Sequence, residues 1–305
     1  MNVKEPDAVI RLWPALLTPI TTTGAVDHDD LAALTGDLIA RGVDGLVPLG
    51  STGEFTEFGP AERAAILETV VAAAGGHVPV LAGVSGLSTR ETCALAAQAT
   101  DVGVDGVLVF PPLYWKVPED RLAGHFREVL AATDRPVVLY DFPALTAQPL
   151  PPSLLRRLAA EEPQVVGAKL TVRDITAITA ALDATRSQRP GFAVVTGFED
   201  LIPAAMWAGA DGAISGLANL QPDLLVALVA AVRAGRPEVA ALYERVMAIF
   251  DVYGLSMPAI PGLKAATAAL GRIASPRSRL DGGAGLAEAA TLWADAHYDA
   301  EAVVA

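Results

Sequence analysis

Short runs of apolar residues alternate with amphipathic stretches along this chain. The stretches carry helix-start signals, among them Asp27 or Asp29, Pro60, Ser88 and Pro151. Eight apolar runs have the length of buried strands, and we predict strands near residues 10–17, 44–49, 78–84, 105–110, 136–141, 164–169, 193–197 and 212–216. Strands that alternate with helices predict a parallel sheet, and eight units predict an α/β fold of the (β/α)8 TIM barrel type.

A short repeat marks three of these units. The sequences Gly42-Val43-Asp44-Gly45, Gly103-Val104-Asp105-Gly106 and Gly209-Ala210-Asp211-Gly212 each follow an amphipathic stretch and precede an apolar run. The first glycine of each lies where a helix C-cap is expected. The repeated unit is therefore a helix, a tight loop and a buried strand.

More helix follows the eighth strand than one closing helix needs. Three further helical stretches are predicted near 222–252, 258–271 and 283–303. We predict that residues 1–220 form the barrel and that residues 221–305 form a helical extension packed on it. The sequence leaves an oligomer contact open as the alternative use of these helices.

Composition and charge narrow the class of protein. The 305 residues are 52% hydrophobic but only 6% aromatic, which predicts a core of Ala, Val, Leu and Ile and suits buried parallel strands. The net charge of −13 argues against nucleic acid and anionic membranes as partners. The single cysteine, Cys93, excludes an internal disulfide. No signal-like or membrane-spanning apolar segment is visible, so we expect a cytoplasmic protein.

Lys169 is the most informative residue, because it ends the apolar run Gln164-Val165-Val166-Gly167-Ala168-Lys169. Burial disfavours the charged ammonium form, and a neutral amine is the form that attacks a ketone to make a Schiff base. The alternative is a lysine whose ammonium reaches water past the strand end.

Other polar groups fall at the ends of neighbouring strands, where barrel chemistry is located. Gly50-Ser51-Thr52-Gly53-Glu54 presents amides and hydroxyls suited to a small carboxylate, although an ordinary turn would look the same. Tyr140 ends the fifth strand, where a phenol can relay protons, or it is a core aromatic with a surface partner. The segment from Phe110 to Lys116 is a loop over the mouth, a subunit contact or a stiff surface loop. The four histidines lack ligand spacing, so we predict no metal.

Together these motifs resemble the dihydrodipicolinate synthase and N-acetylneuraminate lyase superfamily of Schiff-base pyruvate lyases. The resemblance covers residues 10–295, and its motifs are Ala15-Leu16-Leu17-Thr18-Pro19, Gly50-Ser51-Thr52-Gly53-Glu54, Glu62-Arg63, Tyr140-Asp141-Phe142-Pro143, Gly167-Ala168-Lys169, the Gly197 turn and Pro261-Gly262-Leu263-Lys264-Ala265-Ala266. The first, third and fourth of these, in order and at the family's spacing, are highly specific.

The resemblance implies roles for the matching positions. Lys169 would form the imine with a 2-oxo acid such as pyruvate, and Tyr140 would relay protons. A tyrosine matching Tyr114 completes that relay from a neighbouring subunit, which implies a homo-oligomer, either a dimer or a tetramer. No cofactor is implied. The remaining implied contacts are Thr52 in catalysis and Ser51, Thr52, Thr171, Gly197, Glu199, Asp200 and Ile214 in substrate binding.

Departures from the family pattern bear on the substrate. Dihydrodipicolinate synthases carry an arginine where this chain has Leu145, and leucine cannot clamp a carboxylate. Glu199 and Asp200 suit hydroxyl groups, although they are equally suited to capping the next helix. Gly216 in place of a serine, and Asp141 in place of an asparagine, make a short 2-keto-3-deoxy sugar acid a better expectation than sialic acid.

We therefore expect a carbon–carbon lyase of the class I aldolase type, which cleaves or forms a 2-keto-3-deoxy sugar acid or a related hydroxy-2-oxo acid. Three alternatives stay open. A dehydratase of keto-deoxy sugar acids would use the same imine, and a synthase-like protein would share the fold. A catalytically silent binding protein is the third, although it would have no need of Lys169, Tyr140, Ser51, Thr52 and Tyr114 together.

Overall fold

A parallel sheet forms the centre of the molecule. The computed structural model describes residues 10–146, 148–280 and 283–297. Within them the strands are β1 Leu12–Pro14, β2 Leu81–Gly83, β3 Gly106–Val109, β4 Val137–Asp141, β5 Val165–Leu170, β6 Ala193–Thr196 and β7 Ala213–Ser215. All neighbouring strands run parallel, in the order β1-β7-β6-β5-β4-β3-β2.

The predicted strand at 44–49 is present as an extended segment rather than a regular strand. It lies between β1 and β2. Val47 forms a β-bridge with Ala15, and Leu46 forms a β-bridge with Val80. Pro48, in this segment, has no N–H to donate to a ladder, and the same holds for Pro14 and Pro79 beside it. Backbone hydrogen bonds still connect this segment to β1 on one side and to β2 on the other, so the sheet closes. The predicted TIM barrel is confirmed.

Helices cover the outside of the sheet. The α-helices are α1 His28–Ala40, α2 Pro60–Ala74, α3 Thr89–Val102, α4 Glu119–Ala131, α5 Pro143–Thr146, α6 Pro152–Glu161, α7 Ile175–Arg186, α8 Ile202–Trp207, α9 Pro222–Ala234, α10 Val239–Ala248, α11 Ala259–Ala269 and α12 Leu286–His297. Short 3-10 turns lie at Phe55–Glu57, Glu199–Leu201, Leu217–Asn219 and Phe250–Gly254.

The C-terminal part differs in detail from the prediction. The stretch 222–252 is two helices, α9 and α10, followed by a 3-10 turn, because Gly235 adopts a left-handed conformation and Pro237 follows it. Helix α9 packs against α8 and β1 and thus belongs to the barrel. Helices α10, α11 and α12 are then the three additional C-terminal helices. Residues 298–303 of the last predicted stretch lie outside the described residues, and a division at residue 220 stays a prediction.

The repeat found in the sequence has a common structural use. Each repeat aspartate accepts a hydrogen bond from a backbone N–H in or beside the neighbouring strand: Asp44 from Leu12 at 3.1 Å, Asp105 from Val80 at 2.9 Å and Asp211 from Val194 at 2.8 Å. The repeat therefore ties each helix-to-strand loop to the adjacent strand at the amino ends of the strands. This leaves the carboxyl ends for function.

In the described part of the chain, no single helix is long and apolar enough to cross a membrane. One bent pair, Val239–Gly254 with Ala259–Ala269 at 118°, passes the length and composition criteria only when the two are taken jointly.

Candidate active site

Lys169 lies on β5 among apolar residues and is only 4% exposed. Tyr140 is its register partner on β4, and the Lys169 Nζ atom lies 4.2 Å from the centroid of the Tyr140 ring. On its other side this ring stacks on Phe110, with 4.0 Å between the centroids. The amine and the phenol ring that the sequence singled out are therefore in contact near the carboxyl ends of β4 and β5.

Gly197 makes room beside Lys169. A Cβ atom at this position would overlap the Thr171 hydroxyl and would lie 3.0 Å from the Lys169 Cε atom, so only glycine fits here. The Thr171 Oγ1 atom is buried and has no hydrogen-bond partner among the described residues. A buried hydroxyl of this kind is costly unless a ligand satisfies it. Thr171 thus offers one polar contact next to the amine.

The Gly50–Glu54 loop supplies a second orphan hydroxyl. The Ser51 Oγ atom is buried without a partner in the described part of the protein. Leu49, which precedes the loop, and Glu54, its last residue, both adopt left-handed φ angles of 56°. Backbone conformations of this kind cost energy for residues other than glycine, and they concentrate at ligand sites. The strained backbone and the unpaired Ser51 hydroxyl make this loop a candidate binding surface.

The same loop is anchored from the C-terminal region. The Lys264 Nζ atom on α11 lies 2.6 Å from the Glu54 Oε1 atom, and both side chains are fully buried. The other carboxylate oxygen accepts hydrogen bonds from Ser278 and from the Arg279 amide, each at 2.8 Å. Burial lowers the pKa of Lys264, and the Glu54 carboxylate opposes that shift. The C-terminal helices thus hold a loop of the site in place.

Glu199 follows β6 and is held in an internal network. Its Oε1 atom accepts hydrogen bonds from the Ser215 hydroxyl at 2.7 Å, the Leu217 amide at 3.1 Å and the Tyr253 hydroxyl at 3.0 Å. Burial, and then the charge of Glu199, raises the pKa of Tyr253 well above its usual value. The carboxylate thus joins β6, β7 and the C-terminal region.

Asp200 forms an ion pair with Arg173, while its Oδ1 atom is buried and has no partner among the described residues. The Arg173 guanidinium also lies 4.4 Å from the Phe198 ring centroid and 5.4 Å from that of Phe250. The negative charge of Asp200 is therefore balanced by the positive charge of Arg173. The two carboxylates that looked equivalent in the sequence have different environments.

Asp141 follows Tyr140 on β4 and is buried. Its Oδ1 atom accepts a hydrogen bond from the Leu150 amide at 3.0 Å. Burial raises the pKa of Asp141 to about 6, although the Leu150 hydrogen bond opposes the shift. This carboxyl positions the chain after β4 rather than facing a partner charge.

The structure gathers most of the site residues predicted from the sequence. Lys169, Tyr140, Thr171 and Gly197 are in contact or adjacent, and the Thr52 hydroxyl lies 3.6 Å from the position of a Cβ at Gly216. Ile214 is buried in β7 of the same sheet. The structure does not bring Tyr114 to them: it is 77% exposed and contacts Trp115 edge to face.

Sequence reasoning missed Tyr253, Phe250 and Arg173. No local pattern distinguishes them, since Tyr253 reaches Glu199 across 54 residues of sequence. Lys264 belongs to the family motif at residues 261–266, but its partner Glu54 is 210 residues away in the sequence. No group of three or more His, Cys, Asp and Glu side chains suited to a metal occurs in the described part of the chain. The chemistry available from the described side chains is that of a buried amine, a phenol and several hydroxyls.

Comparisons with known proteins agree with this geometry. The model of the dihydrodipicolinate synthetase family matches residues 8–281. YagE of Escherichia coli K12, provisionally named a 2-dehydro-3-deoxy-D-gluconate aldolase, is 38% identical over 274 residues, which cover 88% of this chain and 91% of YagE. The 4-hydroxy-tetrahydrodipicolinate synthase 1 of Streptomyces coelicolor is 38% identical over 262 residues, which cover 86% and 84%.

A solved structure extends the match to three dimensions. The crystal structure of the Escherichia coli K12 protein YagE in complex with pyruvate has a TM-score of 0.90 at 33% identity and covers 95% of this chain and 99% of YagE. The superfamily resemblance and the carbon–carbon lyase class predicted from the motifs are confirmed by these matches.

Proposed function

Because the chain belongs to the dihydrodipicolinate synthetase family, we propose that it is a class I aldolase that uses Lys169 to bind pyruvate as an imine. The observation that carries this proposal is the buried Lys169 amine, 4.2 Å from the Tyr140 ring at the carboxyl end of the sheet. The pyruvate bound to the structural neighbour supports the same ligand here.

The proposed reaction uses few groups. The Lys169 amine adds to the C2 carbonyl of a 2-keto-3-deoxy acid, water leaves, and a protonated imine forms. Tyr140 gives its proton to the departing water and is left as a phenolate, which then takes the proton of the C4 hydroxyl. The C3–C4 bond breaks and an aldehyde leaves, while the bond electrons enter the imine and give an enamine. Tyr140 returns the proton to C3, and hydrolysis of the imine releases pyruvate and restores the amine and the phenol. Ser51, with its unpaired hydroxyl, and Thr52 would bind the carboxylate, and the unpaired Thr171 hydroxyl would contact the substrate next to the imine.

Borohydride trapping tests the imine. Pyruvate with borohydride should inactivate the enzyme, and mass spectrometry should find a reduced adduct on Lys169. Borohydride without pyruvate is the control, and Lys169→Ala should give no adduct. An unmodified Lys169 peptide after complete inactivation would refute the assignment.

We propose a 2-keto-3-deoxy sugar acid, or a related hydroxy-2-oxo acid, as the substrate. The name of YagE supports this class, as does Leu145, which is 58% exposed and offers no cation. A dehydratase acting through the same imine is the alternative within this class. Product analysis separates them, because an aldolase releases pyruvate and an aldehyde, whereas a dehydratase releases a dehydrated oxo acid.

A synthase is the second candidate, since the Streptomyces coelicolor relative is as similar as YagE. A synthase substrate brings a second carboxylate, and the mouth holds Asp200 beside Arg173 with Leu145 in place of the expected arginine. We expect negligible condensation of pyruvate with aspartate semialdehyde. A kcat/KM at or above about 10⁴ M⁻¹s⁻¹ in that assay would favour the synthase instead.

We also propose a homo-oligomer, a dimer or a tetramer, in which Tyr114 enters the site of a neighbouring subunit. Its exposed position next to the exposed Trp115 supports this. The cytoplasmic location stays a prediction.

A further inference from the structure

The Tyr253 hydroxyl lies among the strand ends, although Tyr253 belongs to the C-terminal turn Phe250–Gly254. A Cβ atom at Gly216, directly after β7, would lie 2.6 Å from this hydroxyl and 3.6 Å from the Thr52 hydroxyl. The phenol oxygen therefore fills the space that a side chain at position 216 would take. The C-terminal region thus places a polar atom in the wall of the site, beside the Gly50–Glu54 loop.

Hydrogen bonding fixes which way the phenol points its proton. Tyr253 donates to the Glu199 Oε1 atom at 3.0 Å, and its raised pKa keeps it protonated at neutral pH. The Leu217 amide, which donates to the same carboxylate, also approaches the phenol oxygen and occupies at most one lone pair. A phenol oxygen has two lone pairs, so one remains for a ligand. Towards a ligand, Tyr253 therefore acts as an acceptor.

Neighbouring residues link Tyr253 to the surroundings of the Lys169 amine. Gly197 lies against the Lys169 side chain, and Glu199 follows it by two residues and holds Tyr253. On the far side, Thr52 belongs to the loop with the orphan Ser51 hydroxyl. The phenol oxygen thus lies beside the Gly50–Glu54 loop, and its partner Glu199 is two residues from Gly197, which contacts the Lys169 side chain.

We propose that Tyr253 is a specificity-determining residue whose oxygen accepts a hydrogen bond from a hydroxyl group of the aldehyde half of the substrate. The inference rests on the proposed function and names its substrate class as a hydroxylated aldehyde. An acceptor favours a neutral hydroxyl, which can donate, over a carboxylate, which cannot. It also disfavours an unsubstituted chain, which would leave the remaining lone pair of the phenol oxygen unpaired.

The test compares hydroxylated aldehydes of two to five carbons, such as D-glyceraldehyde, with their deoxy counterparts, such as propanal, in condensation with pyruvate. Wild type should show the higher kcat/KM with the hydroxylated member. Tyr253→Phe removes only the hydroxyl, and it should lower this preference about 10-fold while leaving borohydride trapping of pyruvate at the wild-type rate.

A second pair of variants separates recognition from structure. In Gly216→Ser with Tyr253→Phe, a hydroxyl directly after β7 replaces the lost phenol oxygen, and part of the preference should return. Gly216→Ala with Tyr253→Phe is the matched control, because it adds the same Cβ without the hydroxyl, and it should not recover. Thermal unfolding of both variants shows whether they fold alike.

The outcomes distinguish this inference from the proposed function. A Tyr253→Phe preference within two-fold of wild type overturns the inference, as does equal recovery in the serine and alanine double variants. A wild-type enzyme that traps pyruvate but shows no preference for hydroxylated aldehydes anywhere in the panel also overturns it and leaves the imine assignment intact. Failure of wild type to trap pyruvate overturns the proposed function itself.

Discussion

Tyr140 and Lys169 are neighbours on β4 and β5. Mutation of one at a time can therefore measure the contributions of the phenol hydroxyl and of the amine separately. Tyr140→Phe keeps the ring that stacks on Phe110 and removes only the hydroxyl. Because the amine remains, pyruvate trapping should persist. Turnover should fall by about 10²- to 10⁴-fold, the usual worth of a positioned proton donor or acceptor. Steady-state rates within a few-fold of wild type would place the proton relay elsewhere.

Asp141 should make the stability of the protein depend on pH. Its folded pKa of about 6 lies above the ordinary value of 3.8, so the native state holds the proton more tightly than the unfolded chain. Stability from this group is then present at low pH and is lost as the pH rises from about 4 to 6. Above that range the buried charge costs roughly 2 to 4 kcal/mol.

Asp141→Asn removes that charge and keeps an oxygen to accept from the Leu150 amide. The variant should unfold at higher urea concentration than wild type at pH 8, and its advantage should shrink towards pH 4. Asp134→Asn, which alters an exposed aspartate, is the matched control and should show no such trend. An advantage that is equal at both pH values would contradict the buried-charge explanation.

At the scale of elements, α11 and the Gly50–Glu54 loop depend on each other through one buried ion pair. Lys264→Met would leave Glu54 charged, buried and short of a partner. Breaking a buried pair from one side costs about 3 to 5 kcal/mol of unfolding free energy. Because the loop carries Ser51 and Thr52, the KM for pyruvate should also rise.

The double variant Glu54→Gln with Lys264→Met tests the cause of that loss. With no charge left to bury, it should recover part of the stability, although the contacts of Glu54 with Ser278 and Arg279 will be weaker. Urea unfolding of the wild type and both variants gives the comparison. A double variant less stable than Lys264→Met alone would show that the pair is not the origin of the effect.

Elements that follow a repeated local sequence pattern could be predicted from the sequence. Features that depend on contacts between residues far apart in the sequence could not. The helix, loop and strand unit recurs along the chain, so the barrel and the strand-end position of Lys169 followed from the sequence. The irregular segment 44–49 did not, because it reflects Pro14 and Pro79 on neighbouring elements as well as its own Pro48. Pairs such as Tyr253 with Glu199 depend on where the C-terminal turn is placed, and no local pattern carries that information.

At the scale of the whole molecule, the surface around Tyr114 is unusual for a protein that acts alone. Tyr114 has a φ angle of 78°, which is strained for a tyrosine, and both it and Trp115 are largely exposed. Exposed large apolar groups mark interaction sites more often than chance. A second copy that buries this pair would offset both costs, and a symmetric contact would place each Tyr114 towards its partner.

Subunit mixing tests whether Tyr114 acts across that contact. Tyr114→Phe and Lys169→Ala should each have little activity, but after joint refolding a mixed dimer has one site with the amine of one subunit and the tyrosine of the other. Random pairing at equal amounts should restore about a quarter of wild-type activity. Mixing Tyr140→Phe with Lys169→Ala is the matched control and should restore nothing, since those two residues share one subunit's site. Mixed oligomers that form without regaining activity, or a monomer in solution that is fully active, would refute a relay completed by the neighbouring subunit.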